Sequence, residues 1–380
     1  MCRSSDCSKA ATPRPAWPRR SWPTCVRSSS SPRIRFHCED PVPLRLDVDI
    51  LQLRTRHPFI IARGGQSDYR TVRVRLTDAD GFEGWGEAAP TKFYGETTET
   101  VLAALEHYRT ALPADPFDLE GAERQWATML RHNPSARAAL SSALHDLVGK
   151  RLGVPLYRLW GLDPARAPRS TFTIGIDTPE RMRAKIAEAD EYPILKIKLG
   201  TDHDEELLRT VRDATDREIR VDANAGWSVK QAIRMLPVLE EFGVTVLEQP
   251  LVPEDLAGLA RVTRHATIPV IADESCRTAA DIPPLVGTVD GINIKLAKCG
   301  GLREALRMIA VARAHGLMVM VGCMIESSIG ITAAAHFAPL VDLVDLDGAA
   351  LLASDPFVGA SISGGQVTLP DAAGLGVRPR

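Results

Sequence analysis

The sequence predicts an α/β fold, a (β/α)8-type barrel preceded by a small α+β capping domain. Three observations lead there. Beyond Ala167, eight short β-type runs alternate with helical stretches. Before it, alternating strands and one long helical stretch follow a different rhythm. The later runs also end in charged residues at nearly constant spacing.

The elements follow in order. Residues 1–38 contain five prolines by Pro32, the run Ser28-Ser29-Ser30-Ser31 and no hydrophobic periodicity. Such a segment buries too little apolar surface to offset chain entropy. It also lacks the apolar stretch of a secretory signal, although its Arg/Ser-rich composition would suit organelle targeting. It is expected to be a disordered or spurious extension. The capping domain is expected at 39–165. Residues 44–51 and 71–77 alternate as half-buried strands, Asp78-Ala79-Asp80-Gly81 reads as a turn, and Gly84-Trp85-Gly86-Glu87 as a third strand. Residues 136–152 carry apolar side chains at helical spacing and stop at Gly153. The barrel is expected at 166–355, with strands at 171–176, 194–198, 219–222, 244–248, 269–273, 291–295, 317–322 and 343–347. Residues 356–380 are expected to return to the capping domain, with 364–369 adding a strand to it.

Composition narrows the function. Lys plus Arg number 46 and Asp plus Glu 48, so the chain lacks the basic footprint of a nucleic-acid or membrane-surface binder. The apolar stretch 316–325 is far short of the ~20 residues that cross a bilayer. Seven cysteines without CxxC or Cys/His ligand spacing argue for reduced thiols and a cytoplasmic protein.

Chemistry is carried by the strand ends. Lys198, Asp222, Glu248, Asp273, Lys295 and Asp345 follow one another at intervals of 24, 26, 25, 22 and 50 residues, the last spanning two units. Strand C-termini converge on one mouth of such a barrel, so these side chains are expected to share a site. One charge at a strand end is as readily a helix cap or a solvated loop residue; six in register are not. Three carboxylates from consecutive strands repel unless a cation lies among them. With no His or Cys nearby, the donor set suits an octahedral Mg2+, with Mn2+ as a substitute. Lys196 and Lys198 share one strand face, and Lys295 ends the strand across the mouth. Repulsion between Lys196 and Lys198, with a metal nearby, is expected to lower the pKa of at least one, making an amine available as a base. Asp345 and Asp347 also share a face, and read by themselves they fit either an acidic turn or a site for a substrate ammonium.

Gly84-Trp85-Gly86-Glu87, Lys196-Ile197-Lys198, Val221-Asp222-Ala223-Asn224, Glu248-Gln249-Pro250, Ala272-Asp273-Glu274-Ser275 and Asn293-Ile294-Lys295-Leu296 together resemble the enolase superfamily, specifically its muconate-lactonizing subgroup. Asp345-Leu346-Asp347 is similar to the strand-eight signature of dipeptide epimerases such as those acting on L-Ala-D/L-Glu. The resemblance covers the chain from about Leu44 onward. It implies a Mg2+-dependent 1,1-proton transfer at the Cα of a dipeptide's second residue. Asp222, Glu248 and Asp273 would hold the metal, Lys198 and Lys295 would be the paired acid and base, and Lys196 would add positive charge at the substrate carboxylate. Asp345 and Asp347 would hold the substrate ammonium. Two cap loops, 60–69 and 92–97, are expected over the mouth, bringing Arg63 to an acidic substrate side chain and Tyr94 to exclude water. Cys323, Met324 and Ile325 would line the pocket, and Glu274 would either orient Lys198 or Lys295 or form a structural salt bridge. The implied partner is a small dipeptide, with a homo-oligomer as an option. Rival activities are o-succinylbenzoate synthase, cycloisomerase or N-acylamino acid racemase within the subgroup, a Schiff-base lyase outside it, and a barrel kept only for binding.

Overall fold

A computed structural model describes residues 44–380; the expectation of a dispensable extension at 1–38 lies outside the described residues. Strands β1 (Arg45–Ile61), β2 (Gly64–Thr77) and β3 (Glu83–Ala88) form an antiparallel sheet in that order. Pairing between β1 and β2 runs from Arg45 opposite Thr77 to Ile61 opposite Gly64, with an irregularity between Arg54 and Phe59. The expected cap loop at 60–69 is therefore the end of a long hairpin turning at Ala62-Arg63. The glycines that read as loop supply its geometry: Gly64 has φ 108°, open to glycine at no steric cost. The hairpin end is tied down where Ile176 N donates to Ile60 O at 2.9 Å.

Three helices complete the cap: α1 (Thr98–Tyr108), α2 (Leu119–Met129) and α3 (Pro134–Leu152). Thr97 and Thr100 close a capping box at the start of α1, and α3 ends on Gly153 in the left-handed region, as its sequence predicts. Leu140, Ala143 and Leu147 of α3 join Val72, Val74 and Leu76 of β2 in one buried cluster. The two glycines of β3 make the close approach possible. A Cβ on Gly84 would lie 1.9 Å from Ala143 O, and one on Gly86 1.9 Å from Ala139 O.

The barrel strands are β4 (Phe172–Ile174), β5 (Ile194–Lys198), β6 (Glu218–Asp222), β7 (Val244–Glu248), β8 (Val270–Ala272), β9 (Gly291–Ile294), β10 (Met318–Gly322) and β11 (Leu343–Asp345). All pair in parallel with their sequence neighbours. A bridge between Ser170 and Val344, with Thr171 N donating to Val344 O at 3.1 Å, joins the first strand to the last. Register sets the level of the charges, since Lys198 pairs with Asp222 and Asp222 with Glu248. Val246, Ile271, Met320 and Leu343 form a small apolar cluster of their own. Glu248, Asp273 and Asp345 lie two residues beyond three of these, on the same strand face.

The C-terminal segment departs from expectation. Residues Gln366–Thr368 pair with Ser361–Ser363 in a separate hairpin and add no strand to the cap sheet. That hairpin sits by the entry to β4, where Ser170 N donates to Gly365 O at 2.7 Å and Tyr192 Oη to Ile362 O at 3.1 Å. Alternation identifies a strand but not its partner. The chain does touch α3 further on, where Leu375 N donates to Asp146 Oδ1 at 2.7 Å. Among the described residues no helix is long and apolar enough to cross a membrane.

Because β3 and α3 meet backbone to backbone, Gly84→Ala and Gly86→Ala should each cost about 1–3 kcal/mol or more through overpacking. Urea unfolding followed by circular dichroism tests this; unchanged midpoints would show that the two elements separate freely.

Candidate active site

Asp222 ends β6, Glu248 ends β7 and Asp273 directly follows β8, so three neighbouring strands deliver three buried carboxylates. One oxygen of each lies within 4.8 Å of the other two. One oxygen of each is held by a donor other than the strand-end lysines. Asp222 Oδ1 accepts from Asn224 N at 2.8 Å, Glu248 Oε1 from Asn293 Nδ2 at 2.8 Å, and Asp273 Oδ1 from Lys298 Nζ at 2.5 Å. Lysines meet the remaining oxygens. Asp222 Oδ2 is 2.6 Å from Lys198 Nζ and 3.3 Å from Lys196 Nζ, Glu248 Oε2 is 2.7 Å from Lys196 Nζ, and Asp273 Oδ2 is 2.9 Å from Lys295 Nζ.

Burial pushes all three carboxyls up, and the lysines decide the outcome. Lys198 and Lys196 bring Asp222 below its usual range, and Lys295 and Lys298 hold Asp273 well below it. Glu248, buried and beside Asp222, is pushed up to about 7. A set of oxygen donors alone, each with one oxygen already committed, fits a hard divalent cation of the Mg2+ type.

At Lys196 the expected lowering by repulsion is reversed. Burial alone would depress Lys196, but Asp345, Glu248 and Asp222 together hold it well above its ordinary value. Burial likewise opposes the Lys295 ammonium, and Asp273 outweighs it. Lys196 shares Asp222 with Lys198 but also meets Glu248 and Asp345, so for Lys196 attraction at contact distance exceeds repulsion. Lys198 lies on the second strand of the ring and Lys295 just past the sixth, four strands apart in a closed ring of eight.

Asp345 and Asp347 are brought together at the end of β11 but differ in environment. Asp345 Oδ2 pairs with Lys196 at 2.7 Å and Oδ1 accepts from Thr171 Oγ1 at 2.5 Å. Burial raises Asp345, but Lys196 and Lys198 bring it down to about 2. Asp347 Oδ2 accepts from Thr173 N at 2.5 Å; burial, with Asp345 beside it, pushes its carboxyl up to about 7.

A cleft of about 900 Å³ opens over this cluster. Lys198, Asp273, Lys295, Asp345 and Asp347 line its floor, Cys323, Met324 and Ile325 one wall, and Arg63 and Tyr94 reach it from the cap. Lys196, Asp222 and Glu248 do not line the cleft and sit buried alongside it. Arg63 Nη2 pairs with Glu274 Oε1 at 2.8 Å, Nη1 donates to Asn224 O, and the guanidinium lies 4.1 Å from the centre of the Phe93 ring. Glu274 is thus a structural partner of Arg63 and orients neither Lys198 nor Lys295. Burial, and after it Asp273 and Asp222, raise the Glu274 carboxyl, and Arg63 is the nearest compensation. Tyr94 packs edge-on against Phe93 and lies by Arg277, its phenol raised by burial. Burial, then Asp347, holds the Cys323 thiol protonated, which removes it as a nucleophile.

Three residues carry more of the site than their sequence context suggested. Lys298, one helical turn past Lys295, holds Asp273. Glu87, from Gly84-Trp85-Gly86-Glu87, crosses from the cap to the helix Ser328–Ala335, accepting from Ser327 N at 3.1 Å, Ser327 Oγ at 2.5 Å and Gly330 N at 3.2 Å. Glu326 Oε1 accepts from Met324 N at 2.7 Å, fixing the cleft wall; burial, then Glu87, pushes its carboxyl up to about 8. The signals available were the Lys-x-x-Lys spacing, a glutamate in the apolar strand β3 and another in the apolar stretch after β10. His145, by contrast, is structural, its ring buried and bonded to Ser141 O at 2.8 Å.

Two family models match the chain, Mandelate racemase / muconate lactonizing enzyme, N-terminal domain over residues 45–161 and Enolase C-terminal domain-like over residues 180–380. The chain belongs to the mandelate racemase and muconate lactonizing enzyme family of the enolase superfamily. Among family members it is similar to the L-Ala-D/L-Glu epimerase of Bacteroides thetaiotaomicron, at 44% identity over 86% of this chain and 85% of that protein. Its fold is similar to a dipeptide epimerase from Enterococcus faecalis V583 complexed with Mg and L-Leu-L-Tyr, with TM-score 0.84 and 34% identity over 88% of this chain and 99% of the other. A substrate-liganded L-Ala-D/L-Glu epimerase from Bacillus subtilis aligns with TM-score 0.84 and 33% identity, covering 88% of this chain and 98% of that one.

The raised Glu326 carboxyl makes a stability prediction for this family member. Its protonated form is favoured in the folded state, so stability is fully present below the unfolded glutamate pKa of about 4.3. It is lost as pH rises through the folded value of about 8. Glu326→Gln, an uncharged mimic, should flatten that loss; an equal decline of the urea midpoint in both proteins between about pH 5 and 9 would contradict it.

Proposed function

We propose that this chain is a Mg2+-dependent dipeptide epimerase that inverts the Cα of the second residue of L-Ala-Xaa dipeptides, with an acidic second residue preferred. The observation that carries this reading is the placement of Lys198 and Lys295 four strands apart, each against a different member of the Asp222–Glu248–Asp273 triad. Proton abstraction beside a carboxylate followed by return to the opposite face needs two such groups.

Asp222, Glu248 and Asp273 hold the cation. When bound, Mg2+ would offset most of the triad's negative charge and stabilise the charge that develops on the substrate carboxylate. Lys198 and Lys295 would act as a pair, one as the amine and the other as the ammonium. The amine removes the Cα proton and the ammonium protonates the other face, with roles exchanged for the opposite configuration. Lys196, anchored by three carboxylates, adds positive charge beside the reacting carboxylate. Asp345 and Asp347 receive the dipeptide's ammonium, which favours this reading over N-acylamino acid racemisation or cycloisomerisation.

Arg63 sets the preference for an acidic side chain. Two of its nitrogens are committed to Glu274 and Asn224, which holds the guanidinium at the cleft while its charge still attracts a carboxylate. The printed activity of the Bacteroides relative supports this choice, and the Enterococcus protein with L-Leu-L-Tyr marks the alternative specificity. Cys323, Met324 and Ile325 shape the pocket wall, and Tyr94 helps exclude water. Mn2+ replaces Mg2+ with the same oxygen donors. The free Cys276, Cys299 and Cys323 support a reducing, cytoplasmic setting.

Lys198→Ala and Lys295→Ala should each lower epimerisation by about 10²–10⁴-fold, the range of general acid–base catalysis. In D2O each variant should retain Cα exchange from one substrate configuration only. Full epimerisation by either would refute the two-base assignment. Arg63→Met should lower kcat/KM for L-Ala-L-Glu about tenfold or more, as expected for a lost charged contact, and leave L-Ala-L-Leu little changed. Equal losses on both substrates would remove Arg63 as the selector.

A further inference from the structure

We propose that Lys298 and Asn293, with the backbone amide of Asn224, hold the three carboxylates as one-oxygen ligands and thereby select a small octahedral cation over calcium. The inference rests on the metal-dependent reading above.

A carboxylate can offer a metal one oxygen or two. Calcium takes six to eight oxygens at about 2.3–2.6 Å and gains coordination from bidentate carboxylates, whereas Mg2+ needs six at about 2.0–2.1 Å and keeps waters. In this chain each carboxylate has one oxygen withdrawn from that choice by a donor at 2.8 Å or less: Asn224 N on Asp222 Oδ1, Asn293 Nδ2 on Glu248 Oε1, Lys298 Nζ on Asp273 Oδ1. The remaining oxygens face Lys196, Lys198 and Lys295, and Asp222 Oδ2 also accepts from Asn224 Nδ2 at 3.2 Å; a cation would take the place of the Lys198 and Lys295 contacts.

Lys298 is the most constrained of the three. Its side chain has 0% exposure, and its Nζ reaches Asp273 Oδ1 and Asp273 O at 2.5 Å, Asn293 O at 2.9 Å and Cys276 O at 3.0 Å. An ammonium has three N–H donors, so Lys298 is saturated, and freeing Asp273 Oδ1 would leave a buried charge underpaired. It is not a third base, because it does not line the cleft that Lys295 lines. Lys295 and Lys298 grip opposite oxygens of one carboxylate from adjacent turns of chain. The first grip is exchangeable and the second is fixed.

Asn293 is equally confined, at 0% exposure. Gly322 makes room for its amide, since a Cβ there would lie 2.8 Å from both Nδ2 and Oδ1. Lys298 bonds the Asn293 carbonyl, so the two clamps form one connected unit. Acting through the ligands and touching neither substrate nor cation, Lys298 and Asn293 are positioning residues.

The test is isothermal calorimetry of the full chain with Mg2+ and with Ca2+, in the absence of substrate. Lys298→Met frees Asp273 Oδ1 and Asn293→Leu frees Glu248 Oε1, the latter with no change of charge. Loss of the lysine charge alters affinity for both ions together, so the ratio of their dissociation constants is the readout. Each variant should move that ratio toward Ca2+ by about tenfold or more, the usual scale for groups that orient metal ligands. Circular dichroism identifies a variant that fails to fold, and Asn293→Leu then decides the matter alone. Mg2+ binding to the wild type with unchanged ratios in the folded variants overturns this inference and leaves the proposed function standing. No Mg2+ binding by the wild type overturns the proposed function itself.

Discussion

Three carboxylates buried within 4.8 Å of one another are the constraint around which this molecule is organised. An ionised group taken out of water costs several kcal/mol unless it is paired and hydrogen-bonded. The chain meets that cost twice over. One oxygen of each carboxylate is tied to a fixed donor, and the other faces a lysine ammonium. The first arrangement fixes where the ligands point; the second keeps the cluster charge-balanced and can yield to a cation. The carboxylates that Lys196 and Lys295 face favour their ammonium forms, so the contacts that balance the buried charge also bear on the chemistry.

The scaffold serves that cluster. Parallel register places Lys198, Asp222 and Glu248 at one level, and apolar residues of one cluster lie two residues before Glu248, Asp273 and Asp345. The cap is joined to the barrel by charge as well as by apolar contact. Arg63 at the hairpin end meets the buried Glu274, next in sequence to a proposed metal ligand, and Glu87 holds the first turn of the helix that follows the Cys323–Ile325 wall. Cap and pocket wall are consequently set against each other by buried carboxylates, so the shape of the cleft depends on both parts of the chain.

Much of this was legible in the sequence because strands announce their inward face by alternation and these strands end in charge. Periodicity located all eight barrel strands within two residues, and the spacing of Lys198 through Asp345 placed six side chains in one cluster. What escaped depended on contacts between distant segments. Residues 60–69 looked like a loop because Gly64-Gly65 is turn chemistry, and only the partner strand shows that the turn closes a hairpin. The strand at 364–369 was recognisable, but its partner was not. The raised Lys196 ammonium escaped because sequence places Lys196 near Lys198, while only the fold places it against Asp345 and Glu248. Lys298 went unnoticed since it lies past the strand, in the short helix Leu296–Cys299, where a lysine ordinarily faces solvent.

The central claim is that one divalent cation sits on three single carboxylate oxygens between two amines that address opposite faces of a carbon acid. A crystal structure of the chain with Mg2+ and L-Ala-L-Glu tests it most directly. One ion is expected, bound through a single oxygen each of Asp222, Glu248 and Asp273, with Lys198 Nζ and Lys295 Nζ on opposite sides of the second residue's Cα. An ion elsewhere, or both lysine nitrogens on the same side of that carbon, would contradict it.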